Sequence, residues 1–368
     1  MLHTTRVLQV DAAEPAAGDI EVAAVILRAG GLVAFPTETV YGLGANALDS
    51  RAVARIFEAK GRPFTDPLIV HIAADRQLEE VAEAVPPLAH RLAARFWPGP
   101  LTLVLKRRAR VPATVSGGRD TVAVRMPNHP VALRLIAAAG LPVAAPSANL
   151  FMRPSPTQAS HVLDDLSGRV DLILDAGPCP IGVESTVLDL TTPIPVVLRP
   201  GGAPVEDLRA LVPDLEILNR QVSADDSEAQ PAPGMFVKHY SPRARLLLIA
   251  GAPDVVLHRM VAVATALQNR GLQVGVLAAA EDAQNFKAID QVAILGRRDD
   301  LAGISHQLFA QIRTLDKSGV DVMVAGQFAR TGLGLAIWDR LLRAAEGMII
   351  HASAPPAPVQ IGALKITV

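Results

Sequence analysis

Leu32-Val33-Ala34-Phe35-Pro36-Thr37-Glu38-Thr39 changes character at its proline. The apolar run before Pro36 predicts a buried strand. Pro36 lacks an N–H and stops it, and Thr37-Glu38-Thr39 begins a polar loop. Upstream, residues 18–29 read as a helix entering Gly30-Gly31. The same grammar of helix, stop, short apolar strand and polar loop continues along the chain. Asp49 or Ser50 can cap a helix carrying Val53, Ile56 and Phe57, which Gly61 ends. Leu68-Ile69-Val70-His71-Ile72 is the next strand, followed by helical stretches at 75–84 and 88–96. Strands are expected at Leu101–Leu105, Thr121–Arg125, Pro142–Ala145 and 171–175, and as a pair at Thr186–Leu190 and Val196–Arg199. Helices near 130–139, 157–166 and 204–211 are interleaved with them. There is no strict βαβ rhythm, so an α/β fold with a twisted mixed sheet is expected.

Residues 213–243 differ: Ser223–Glu228 is polar and acidic, and Pro231-Ala232-Pro233-Gly234 is stiff and turn-rich. This segment divides the chain into 1–212, a linker at 213–243, and 244–368. The last part alternates strands at Leu246–Ile249, Val274–Leu277, Val292–Leu295 and Val320–Val324 with helices at 253–269, 301–315 and 336–346. That regular alternation predicts a smaller Rossmann-like α/β domain with a parallel sheet. Gly332-Leu333-Gly334 is only a fragment of a dinucleotide fingerprint.

Half of the 368 residues are hydrophobic but only 4% are aromatic, so the core must be aliphatic. A net charge of −1 supplies no global field for nucleic acid or membrane. The dense basic run Lys106-Arg107-Arg108-Arg110 reads as solvated surface, with a local RNA contact as the sharper alternative. A single cysteine, Cys179, excludes an internal disulfide and a multi-cysteine metal site, and reads as a small buried residue rather than a nucleophile. The nine histidines show no paired spacing, so no structural metal is expected. The N-terminus lacks an apolar signal core and no run is long enough to span a membrane, which points to a cytoplasmic protein.

Two loops stand out as chemistry. Lys60-Gly61-Arg62-Pro63 puts a mobile point charge and a planar fork on a glycine/proline turn, suited to phosphate. Ser147-Ala148-Asn149 puts small hydrogen-bonding groups at a strand end, where ligands of α/β proteins sit. Thr37, Arg125 and Arg199 also follow short apolar strands, and His71 lies within one. If those strands share a sheet, their loops converge on one anion-rich ligand. Singly, each residue has a bland reading as a surface ion pair, a turn former or a half-buried strand position.

At this point the chain resembles a family. Gly31 to Gly44, Lys60 to Pro63, Thr121 to Pro127, Ala145 to Asn149 and Glu184 to Val187 resemble, in order, the YrdC-like threonylcarbamoyl-AMP synthases. The likeness covers about residues 15–212, and Pro233-Gly234-Met235 to His239-Tyr240 is similar to the linker of the family's long form. The resemblance implies a nucleotidyltransferase that joins L-threonine, bicarbonate or CO2, and ATP into threonylcarbamoyl-adenylate and releases pyrophosphate. A separate transferase complex then moves the group onto tRNA. By that pattern Lys60, Arg62, Ser147 and Asn149 form the catalytic tetrad. Thr37, His71, Arg125, Ala145 and Ser185 hold threonine, with Thr186 not separable from Ser185. Asp66, Thr121, Ser155 and Arg199 join Arg62 and Ser147 around ATP, the 213–243 linker with His239-Tyr240 is expected to fold over it as a lid, and Mg2+ is expected with the substrate.

The chain departs from the pattern at Asp66, where Asn is common, at Phe151-Met152, where Ser-Gly is usual, and at Phe236-Val237-Lys238. A carbamoyl-transfer domain and an RNA-binding module without catalysis are the alternative readings. The first lacks its usual companion modules here, and the intact tetrad opposes the second.

Overall fold

A computed structural model describes residues 4–218, 230, 234, 238–362 and 364–367. Contacts divide it into a first unit, Met1–Phe151 with Ser155–Met235, and a second, Met152–Pro154 with Phe236–Val368. Most of the expected linker, including Ser223–Glu228, Pro233, Met235, Phe236 and Val237, lies outside the described residues.

The first unit begins β1 (Arg6–Gln9), α1 (Ala17–Arg28), β2 (Val33–Phe35), β3 (Gly42–Asn46), α2 (Ser50–Lys60) and β4 (Ile69–His71). It continues with α3 (Arg76–Val81), α4 (Pro87–Phe96), β5 (Leu101–Lys106), β6 (Thr121–Arg125), α5 (Pro130–Ala139) and β7 (Val143–Ala144). Then follow α6 (Ala159–Leu166), β8 (Leu172–Asp175), β9 (Thr186–Asp189), β10 (Val196–Arg199), α7 (Val205–Arg209) and β11 (Glu216–Ile217). The strands form one 11-stranded sheet in the order β1-β8-β2-β3-β7-β4-β6-β5-β9-β10-β11. Parallel pairs such as β4/β6 alternate with antiparallel ones such as β2/β3 and β4/β7, so the expected mixed sheet is present.

The strand β3 was not expected from sequence, because Gly42-Leu43-Gly44-Ala45-Asn46 has little intrinsic strand preference. Packing supplies the reason: a Cβ on Gly44 would sit 2.7 Å from the Phe35 ring and 2.9 Å from Val143 Cγ1. The glycine lets β3 lie between β2 and β7 while both neighbours keep bulky side chains. Local signals suffice for α2. Asp49 accepts from the Arg51 and Ala52 N–H groups at its start, and Gly61 closes it in the left-handed region with φ 64°.

Apolar residues of α1 and α5 bury one side of the sheet with Val33, Phe35, Val143, Leu172 and Leu174. A smaller aliphatic cluster of Ile69, Val104, Ala123, Val187 and Leu198 lines another face of β4, β5, β6, β9 and β10. Strand side chains alternate, so Ile69 and His71 share a face, as do Ala123 and Arg125. This second face is therefore the floor beside which polar side chains gather.

The second unit contains β12 (Arg245–Ala250), α8 (Pro253–Gln268), β13 (Val274–Ala279), β14 (Gln291–Gly296), α9 (Leu301–Lys317) and β15 (Val322–Gly326). It ends with α10 (Leu333–Ala344), β16 (Ile349–His351), β17 (Pro358–Ile361) and β18 (Leu364–Thr367). Five strands make a parallel sheet, β14-β13-β15-β12-β16, and β17/β18 form an antiparallel hairpin. The expected Rossmann-like α/β domain is thus present, with β16 to β18 added beyond it. Among the described residues, no helix is long and apolar enough to cross a membrane.

Candidate active site

The loops at Lys60 and Ser147 meet. Lys60 ends α2 and is 2% exposed; its Nζ donates to the main-chain oxygens of both Ser147 and Asn149. The Phe151 N–H returns a bond to Lys60 O at 2.9 Å. Ser147 itself bridges antiparallel to Gly42, while Leu43 and Ala148 bond to Pro146 O and Tyr41 O. One cation thereby pins the polar loop after β7 against the end of α2, on a scaffold of β3 and β7. Asn149 is buried, and Ser147 is half-buried.

Arg62 is turned into its own loop. Its Nε donates to Asp66 O at 3.1 Å and its Nη2 to Pro67 O at 2.6 Å, and Nη2 also lies 3.0 Å from Asp66 Oδ2. The Asp66 N–H closes a turn onto Pro63 O. Burial pushes the Asp66 carboxyl up, while Arg62, Lys60 and Arg199, in that order, pull it down, as does the Gly234 N–H. So four of the expected site residues, Lys60, Arg62, Asp66 and Arg199, form one electrostatic cluster.

A second polar group forms at the C-terminal ends of the parallel pair β4/β6, where His71 stands opposite Arg125. Arg125 Nη2 pairs with Glu38 Oε2 at 2.6 Å, Nη1 donates to Thr39 Oγ1 at 3.0 Å, and Nε donates to Gly99 O at 3.2 Å. Thr37 Oγ1 lies 2.8 Å from Thr39 Oγ1, donates to Val40 O, and accepts from the Thr39 and Val40 N–H groups, which folds the loop tightly. Glu38 and Thr39 were missed as site residues, although both sit directly after the strand-ending Pro36. Ala145 is held by its N–H on Ile69 O at 2.9 Å.

Ser185 and Thr186 are separated by the structure. Ser185 Oγ lies 2.8 Å from Thr102 Oγ1 and 3.3 Å from Arg199 Nη2, which also donates to Ser185 O at 3.0 Å. The Thr186 hydroxyl is spent on Ala203, donating to its O and accepting from its N–H. Ser155 Oγ donates to the buried carboxylate of Glu184. Thr102 and Glu184 were missed too; a threonine inside the run Leu101–Leu105 was the available signal. So was Gly201, where a Cβ would fall 2.3 Å from both Glu184 O and the Ser185 carbonyl carbon. Thr121 opens β6 and Arg125 closes it, so the two are about 13 Å apart along the strand. Thr121 lies towards the turn at Gly117, which packs against Thr65 O.

His239 and Tyr240 belong to the second unit, where the Tyr240 ring packs 5.3 Å from Phe309 and beneath the Arg340 guanidinium. Met152, of the unusual Phe151-Met152 pair, also groups with the second unit, and its carbonyl accepts from the Ser241 N–H. Cys179 is buried and burial pushes its thiol up, which fits the small-apolar reading. In the basic run, Lys106 pairs with Glu83 at 2.8 Å and Arg110 with Glu80 at 3.8 Å as solvated surface charges, while the mostly buried Arg107 lies 3.9 Å from Asp120 and donates to the Val111 and Arg119 carbonyls.

His71 carries a pH signature. Burial, reinforced by Arg125, lowers its imidazole from the usual 6.5 to about 3, and Nδ1 faces Ile69 O at 3.3 Å. The folded chain therefore keeps His71 neutral where an unfolded chain would protonate it. Its contribution to stability is complete above ~6.5 and is lost as pH falls from there towards ~3. We expect His71→Gln to flatten that acid limb, read as the urea midpoint at pH values from neutral to about 4. Parallel losses in both proteins would remove His71 from the account.

Comparison with known proteins shows what the chain is similar to. The profile described as "Telomere recombination" matches residues 25–201, and that of the "Threonylcarbamoyl-AMP synthase, C-terminal domain" matches residues 203–346. The threonylcarbamoyl-AMP synthase of Pyrococcus abyssi is 48% identical over 331 residues, covering 90% of this chain and 95% of its own. That of Bacillus subtilis is 48% identical over 334 residues, covering 90% and 94%. The crystal structure of P. abyssi Sua5 complexed with L-threonine superposes with a TM-score of 0.88 at 45% identity, covering 94% of this chain and 99% of that one.

Proposed function

The chain belongs to the threonylcarbamoyl-AMP synthase family, and from that premise we propose how its residues divide the work. It is a nucleotidyltransferase that makes L-threonylcarbamoyladenylate from L-threonine, bicarbonate or CO2, and ATP, releasing pyrophosphate. Threonine nitrogen forms a bond to the carbon and loses a proton, as a C=O π bond of CO2 opens to a carboxylate oxygen or as bicarbonate releases its hydroxyl as water. A carbamate oxygen then bonds to the α-phosphorus as the bond from that phosphorus to pyrophosphate breaks.

The observation that supports the division of labour is the Lys60 bridge to the main-chain oxygens of Ser147 and Asn149, which joins three of the four residues assigned to the tetrad. Lys60, Arg62 and Arg199 take the phosphates, where negative charge builds in the transition state. Ser147 and Asn149 close the reacting centre from the facing loop. Arg125 takes the threonine carboxylate, with neutral His71, Thr37, Ala145 and Ser185 around it. Thr186 is withdrawn from the threonine-binding set, because its hydroxyl is committed to Ala203. Thr121 and Ser155 are assigned to the nucleotide, while His239 and Tyr240 belong to the second unit. Catalysis is assigned to the first unit, and the lid role of 213–243 rests on residues outside those described.

Among the described residues no group of three or more His, Cys, Asp or Glu could hold a metal. Asp66 pairs with Arg62, and Glu184 accepts from Ser155. These side chains are committed to protein partners and do not fit Mg2+ as a protein-held ion, and no step here runs through it. The product is a reactive mixed anhydride, which suits direct hand-over to a separate transferase acting on tRNA. The identity over both units favours this reading over a carbamoyl-transfer or RNA-binding module.

The test is pyrophosphate release measured with threonine and bicarbonate present or withheld singly, and with serine as competitor. Release that needs both substrates is expected; release independent of threonine would defeat the assignment.

A further inference from the structure

Asp66 is a fully buried carboxylate that pairs with Arg62 in the field of two further cations, Lys60 and Arg199. Arg62 pairs with it from the same loop at 3.0 Å, and the charges of Lys60 at the end of α2 and Arg199 at the end of β10 favour its ionised form, as does the Gly234 N–H. A polyphosphate held by the same cations would stand beside this carboxylate in a site with little water, where like charges repel strongly. The carboxylate must then move away or lose its charge.

Movement is opposed by the loop. The Asp66 N–H is tied to Pro63 O at 3.1 Å, and Arg62 is threaded through the Asp66 and Pro67 carbonyls. Thr65 O lies against the Gly117 backbone turn, 2.9 Å from where a Cβ there would sit. Loss of charge remains. We propose that Asp66 is a positioning residue for the nucleotide phosphates: ionised in the nucleotide-free enzyme, it holds Arg62 beside Lys60 and Arg199, and it takes up a proton when a polyphosphate claims these cations. This rests on the reading that those three cations bind ATP. Burial already biases the Asp66 carboxyl towards its protonated form, and removal of its cationic partners completes the shift.

The experiment is calorimetric titration of the full chain with an α,β-methylene analogue of ATP, which cannot transfer its adenylate. It is run in buffers of differing ionisation enthalpy at mildly alkaline pH, where the phosphates hold no titrating proton. Uptake of about one proton per analogue bound is expected. Adenosine, which lacks phosphates, should bind without uptake. Asp66→Asn should abolish the uptake, bind the analogue about tenfold more tightly at alkaline pH, and lose the wild type's decline in affinity with rising pH. Circular dichroism checks that this variant is folded, and the wild-type proton count decides the matter if it is not.

Binding by the wild type without proton uptake, uptake that persists in D66N, or weaker binding by D66N overturns the proposal. If instead the wild type does not bind the analogue, or Lys60→Met binds it equally well, the nucleotide assignment itself fails and the Asp66 role falls with it.

Discussion

Lys60→Met lowers threonine- and bicarbonate-dependent pyrophosphate release by about 10²–10³-fold, the usual loss when one preorganised group facing developing charge is removed. Met keeps the length and bulk of the aliphatic stem, so the end of α2 stays filled and the loss reports the ammonium. Two effects must be told apart, because Lys60 Nζ also ties the Ser147 and Asn149 carbonyls. Leaving those carbonyls without that donor costs about 1–3 kcal/mol apiece and lowers the melting temperature. A purely structural role would lower stability and raise KM for both substrates while turnover per folded site stayed near normal. A transition-state role lowers kcat with the threonine KM almost unchanged. The pair of kcat and KM values, read beside the melting temperature, separates them. Turnover above about a tenth of wild type would remove Lys60 from the chemistry.

The chain announces much of this, but unevenly. The second unit was legible because parallel strands buried on both faces read as continuous apolar runs, as in Leu246–Ile249 and Val274–Leu277. The end of α2 was legible because Asp49 and Gly61 are local signals. Strand β3 was not, because its glycines are explained only by Phe35 and Val143, residues remote from any local pattern. The same holds for the site. Lys60, Arg62, Ser147 and Asn149 are visible as loop chemistry, and the family resemblance joins them. What Arg125 touches follows from the fold, since Thr39 is 86 residues away and meets it only because β6 ends near the loop after β2. Ser185 and Thr186 are adjacent and chemically alike, so only the bonds to Arg199 and Ala203 divide them. Asp66 was visible as an unusual residue type, while its complete burial beside Arg62 required the packed loop.

The largest single effect on threonine is expected at Arg125, whose partners make the outcome two-sided. Arg125→Met removes the fixed fork for the substrate carboxylate, and KM for threonine rises by about 10²-fold or more, the equivalent of about one or two charge-assisted hydrogen bonds. KM for ATP changes little, since the phosphate cations lie on other loops. The same substitution strands Glu38, which is 2.6 Å from the guanidinium with both side chains at least 94% buried. Breaking such a pair by removing one partner costs about 3–5 kcal/mol, because the remaining charge is buried alone. Loss of activity in the single variant would therefore be ambiguous between lost binding and lost fold. Adding Glu38→Gln resolves it: the double variant removes the stranded charge and should recover most of the stability while threonine KM stays high. Arg125→Lys should not rescue binding, because one ammonium cannot serve Glu38, Thr39, Gly99 and a carboxylate together. If the double variant regains normal threonine KM along with its stability, Arg125 is a brace for the loop after β2, and the substrate carboxylate is held elsewhere.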